Sequence, residues 1–169
     1  MKNLLKAIVV AGLTLGAVCG LAGTMAAAAN LRAALWAIDS TGLIVATSIL
    51  ALSYFRKGQE LVAAGFLVFA IGEAVMLSGT AATLEASIPA FAAGTALWSA
   101  ALLLTSVPRE FANFTRATGI LGALLFAVTS ARIFWGEQLT PIARPLPYYA
   151  YPFLVLTFAG WIWTVLRER

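Results

Sequence analysis

Residues 61–80, LVAAGFLVFAIGEAVMLSGT, carry a single ionisable side chain, Glu73. At ~1.5 Å of rise per residue, such a stretch crosses the ~30 Å hydrocarbon core of a bilayer as one α-helix. Polar and helix-breaking residues bound it, Arg56-Lys57-Gly58-Gln59-Glu60 before and Glu85-Ala86-Ser87 after. Working outward, five further stretches have the same character: residues 4–28, 35–55, 89–107, 117–136 and 148–166. The remaining connections are short, residues 30–32, Pro108-Arg109-Glu110 and the proline-bearing run 137–147. Short connections force successive helices to lie antiparallel beside one another. The expectation is an all-α fold: a polytopic membrane bundle of six transmembrane helices, up-and-down, forming a single integral membrane domain over residues 1–169.

Composition excludes the main alternatives. The chain is 62% hydrophobic and 11% charged, against roughly half and a quarter in a soluble domain. Its mean hydropathy is +0.93. A water-soluble globule would lack polar surface, and disorder needs the opposite composition. There is no histidine and one cysteine, Cys19, so imidazole ligation, an intrachain disulfide and an iron–sulfur cluster are excluded. No cofactor and no metal are expected. Cys19 reads as a buried, inert thiol.

Basic residues set the expected orientation. Lys2, Lys6, Arg56, Lys57, Arg109, Arg116, Arg167 and Arg169 fall on one side of six spans. Arg32 and Arg144 fall on the other, and Arg132 lies within the fifth span. By the positive-inside rule both termini are then cytoplasmic, in a bacterial-type cytoplasmic (inner) membrane. The net charge of +4 is dispersed over loop ends, which argues for topology and against a nucleic-acid partner. The first stretch allows two readings. Lys2 and Lys6, an apolar run and Ala26-Ala27-Ala28 resemble a cleaved secretory signal, which would leave five helices. The run is long for a signal, however, and Gly12, Gly16 and Gly20 share one face suited to close helix contact. Retention is the reading adopted.

Three ionisable residues lie within spans: Asp39, Glu73 and Arg132. Each costs ~2.5–3.5 kcal/mol to insert, so such residues usually face protein or water. Measured from the span midpoints, Asp39 and Arg132 lie ~9 Å, and Glu73 ~4 Å, towards the outer face. The three are expected to converge on one pocket open to that side, with Glu73 the deepest. Plainer readings exist for each. Asp39 and Arg132 could form a structural ion pair, Arg132 could snorkel to the interface, and Glu73 could be a neutral carboxyl bonded to a neighbouring helix. Trp98, near the middle of the fourth span, reads as core packing or as a ring stacked on a ligand. Trp36, Trp135, Tyr148, Tyr149 and Tyr151 read as the outer aromatic belt, Trp161 and Trp163 as the inner one. The run with Pro141, Pro145 and Pro147 is a plain connection or a lid over the pocket, and Glu85 and Glu137 are ordinary solvated loop residues.

No nucleophile motif, phosphate-binding glycine loop or metal motif is present. Two functions remain. One is a non-catalytic membrane protein that binds lipid or an apolar ligand, or serves as an accessory subunit of a membrane assembly. Its partners would be membrane lipids, other membrane subunits or a second copy. The other is a small proton- or cation-coupled transporter or channel-like protein using Glu73. In either case Asp39, Glu73, Trp98 and Arg132 are the candidate ligand-binding or ion-coupling residues.

Overall fold

The structure, a computed structural model, describes residues 3–80 and 83–167; Lys2, Glu168 and Arg169 lie outside the described residues. It contains six long helices: α1 (Asn3–Met25), α2 (Ala29–Arg56), α3 (Glu60–Gly79), α4 (Ile88–Ser106), α5 (Asn113–Phe134) and α6 (Tyr151–Arg167). A 3-10 turn, Tyr148–Ala150, leads into α6. All six are long and apolar enough to cross a membrane, and no strand occurs among the described residues. Each helix packs on its neighbours in the chain, and α6 returns to pack on α1, closing a ring. The end holding Asn3 and Arg167 is called the terminal end, and the end holding the α1–α2 turn the distal end.

Two helices differ most from their expected bounds. The second starts at Ala29 rather than near residue 35. Residues 29–34, Ala-Asn-Leu-Arg-Ala-Ala, are mostly good helix formers, and the Arg32 guanidinium ties the first turn back by donating to the Ala26 carbonyl at 3.1 Å. The fifth runs from Asn113 to Phe134, beginning and ending earlier than residues 117–136. Its end is set by Gly136, whose φ of 101° belongs to the left-handed region. The Gly136 N–H bonds to the Ile133 carbonyl at 2.9 Å, and the Glu137 N–H to the Arg132 carbonyl at 3.1 Å. That pair of bonds is a Schellman cap, which glycine forms without steric penalty. Arg116, in the first turn of α5, caps α4 by donating from Nε to the Ser106 carbonyl at 2.9 Å and from Nη2 to that of Val107 at 3.0 Å.

Between lipid-compatible helices there is little hydrophobic drive to associate, so close packing has to hold them. On α1, Gly12 faces the Gly42 carbonyl, Gly16 the Leu43 side chain and Gly20 the Asp39 carboxyl. A Cβ at Gly20 would stand 2.9 Å from Asp39 Oδ2, so the bare backbone is what leaves room for that acid. The centre of the bundle is aromatic. Trp161 meets Phe66 edge-on with centroids 4.8 Å apart, and Phe69 stacks on Trp98 at 5.7 Å and 6°. This corrects the reading of Trp161 as a belt residue: it is 1% exposed, whereas Trp163, two positions on, is 54% exposed. Two positions on a helix are ~200° apart, so the two rings face opposite ways.

Candidate functional site: a cavity floored by two carboxyls

A cavity of about 360 Å³ occupies the distal half of the bundle. That is within the range of small-molecule sites. Helix α2 supplies one wall through Arg32, Trp36, Asp39 and Leu43, which recur at helical spacing on one face. Gly16 and Gly20 of α1, Met76 of α3, Thr80 just past its end, and Phe91 of α4 continue the lining. Tyr151, Leu154 and Phe158 complete it from α6. The cavity reaches the exposed residues Ala29, Asn30 and Thr83 at the distal end. At its deep end are Glu73, Asp39 and Trp98, only 1%, 9% and 5% exposed.

The two acids stand at one level. With α2 starting at Ala29, Asp39 lies ~5 Å from the middle of its helix, as Glu73 does in α3. They are close enough to interact electrostatically, and Ser40 and Trp98 lie beside the Glu73 carboxyl. Even so, Asp39 Oδ1, Glu73 Oε1 and Trp98 Nε1 are buried without a hydrogen-bond partner. An unsatisfied buried polar group costs roughly 1–3 kcal/mol, more if charged. Ser40 and Trp98 offer donors to the Glu73 carboxyl, yet its Oε1 and Asp39 Oδ1 stay unbonded, so the unmet capacity at the floor is chiefly that of acceptors.

Arg132 does not join them, which corrects the expected trio. It occupies the last turn of α5, ~13 Å from the helix middle, and no residue of α5 lines the cavity. The reversal at Gly136 folds Glu137 back over it. Arg132 Nε donates to Glu137 Oε1 at 2.9 Å and Nη2 to Oε2 at 2.6 Å, with both side chains substantially exposed. Glu137 is thus the partner of Arg132 and more than a solvated loop residue. The guanidinium holds its carboxyl below the usual range, chiefly through these hydrogen bonds.

The basic group that does line the cavity is Arg32, one of several lining residues that the sequence reading missed. It sits seven residues before Asp39, a spacing that puts both on one helix face and was visible in the sequence. Its guanidinium lies 5.9 Å from the Trp36 ring centroid, above the turn it secures. Tyr151 is another. Assigned to the outer belt, it instead lines the cavity and donates its hydroxyl to the Pro141 carbonyl at 2.7 Å. Pro141 itself lines the cavity, so the proline-bearing connection forms part of its wall. Trp98 both packs in the aromatic core and borders the cavity.

Fold and site together define the class: a bundle of six membrane-compatible helices with a half-height cavity whose floor carries two carboxyls. The chain matches no protein-family model, no curated protein and no solved structure.

Proposed function

We propose that the protein spans a membrane six times, with both termini in the cytoplasm, and binds an amphipathic or apolar ligand in this cavity without reacting with it. The membrane is of the bacterial cytoplasmic type in this reading, and the cavity faces away from the cytoplasm. Support for the orientation comes from charge. Among the described residues, Lys6, Arg56, Lys57, Arg109, Arg116 and Arg167 gather at the terminal end, against Arg32, Arg132 and Arg144 at the distal end.

The observation that carries the ligand-binding reading is the cavity itself: about 360 Å³, a largely apolar wall, and three unpartnered polar atoms at its deep end. Apolar walls with a few convergent polar groups are what small-molecule sites generally present. Native mass spectrometry of the protein released from mild detergent or nanodiscs tests it. A stoichiometric small amphiphile should remain bound, and Val155→Trp, which adds an indole to the cavity wall, should displace it with helicity unchanged. An empty wild-type protein, or an adduct indifferent to Val155→Trp, would refute the reading.

The pairing of Asp39 with Glu73 favours a second reading, a proton- or cation-coupled transporter. Two carboxyls at one level, reached from one end, could exchange a proton for a cation. In that case flux coupled to a proton gradient in liposomes would be lost in Glu73→Gln while ligand-free stability persisted.

A further inference from the structure

Resting on the ligand-binding reading, we propose that the ligand's polar end is a cation, an ammonium borne on an apolar body, seated between Asp39 and Glu73 against Trp98. The two carboxyls face the same low-dielectric space, where neither can hold its charge without a counter-charge. Among the described residues, none stands at that level. Arg32 lies two helical turns towards the distal end, engaged with the Ala26 carbonyl and the Trp36 ring. Arg132 is committed to Glu137 at the rim. Lys6 sits in the terminal half of α1. Among the described residues, no three His, Cys, Asp or Glu side chains gather to hold a metal ion.

What the site offers matches an ammonium group. Asp39 Oδ1 and Glu73 Oε1 are buried acceptors that make no hydrogen bond, and an ammonium brings up to three N–H donors. Charge-assisted bonds of this kind are roughly twice as strong as neutral ones. The wall above the acids is aromatic, with Trp36, Phe91, Tyr151 and Phe158 facing the space the ligand would fill. Aromatic rings attract cations while also packing on an apolar body. An anionic head group would meet two acids at the floor and is disfavoured there. The ionisable groups lining the cavity are Asp39 and Arg32 from α2, Glu73 from α3 and Tyr151 from α6; α1 and α4 contribute none.

The Trp98 indole N–H, assigned with a Trp98→Phe control, reports on occupancy by ¹⁵N–¹H NMR of the full chain in nanodiscs. The probes are decylammonium, decanol and decanoate at equal mole fractions of the bilayer. Decylammonium should shift that resonance saturably, decanol and decanoate should not. Asp39→Asn and Glu73→Gln should each weaken the decylammonium response at least ~10-fold, and Arg132→Gln should leave it unchanged. A decanol shift equal to that of decylammonium would overturn the cation while leaving the binding reading intact. No response to any probe would overturn the proposal, and the native-mass experiment then decides whether the cavity binds anything. Should either acid variant fail to fold, the comparison of the three probes on the wild-type protein still discriminates.

Discussion

Asp39, Glu73 and Arg132 look alike as charged residues in apolar runs, and their fates differ by where each helix ends. Glu73 lies thirteen residues into a helix whose bounds the sequence marks on both sides, so its depth was legible. Arg132 lies two residues before the end of α5, and the turn at Gly136 hands it an acid from five positions further on. A glycine followed directly by a glutamate past a basic last turn is the local signal for that pair. Because the Glu137 carboxyl is depressed by Arg132, the pair is intact above the ordinary carboxylate range and is lost as pH falls through the lowered value. A carboxyl-carbon NMR titration should find Glu137 protonating below ~4.3, the unperturbed value, and returning towards it in Arg132→Gln. An unperturbed titration in the wild type would mean that the pair does not persist.

At the scale of elements, hydropathy finds a helix but says little about which side faces the bundle. Apolar residues surround these helices on every side, on the outward faces as well as in the core. Trp161 and Trp163 show the consequence: identical residue types near one helix end, one inside the aromatic cluster and one outside it. Trp161→Ala should cost ~3–5 kcal/mol through the cavity it leaves. Trp163→Ala should stay within about 0.5 kcal/mol, as exposed substitutions do. Denaturant unfolding in a common detergent measures both, and equal losses would contradict the burial seen for Trp161. Glycine positions were more informative, because a residue without a side chain is conspicuous on a helix where close approach needs one. Gly12, Gly16 and Gly20 were readable as one face; that Gly20 makes room for Asp39 was not.

For the whole molecule, the ring of helices makes a cavity that no single element contains. Its lining draws on five helices and two loops, and only at the distal end. The proposed topology places that end outside. With Cys19 replaced by serine, a cysteine at Glu85 should react with a membrane-impermeant thiol reagent on intact cells, and one at Gln59 only after the membrane is opened. The reverse pattern would invert the orientation and turn the cavity towards the cytoplasm.

The amino-acid order alone determined that the fold is helical, that there are six apolar helices, and that two acids are carried where few charges are tolerated. It could do so because length, hydropathy and the cost of a buried charge are properties of each stretch taken singly. Tertiary structure decided that Asp39 and Glu73 share a floor with Trp98, that Arg32 rather than Arg132 borders the space above them, and that Tyr151 turns inward. Those outcomes depend on the rotation of each helix about its axis and on where its terminal turn closes. Both are set by steric fit against neighbours that are distant in the chain.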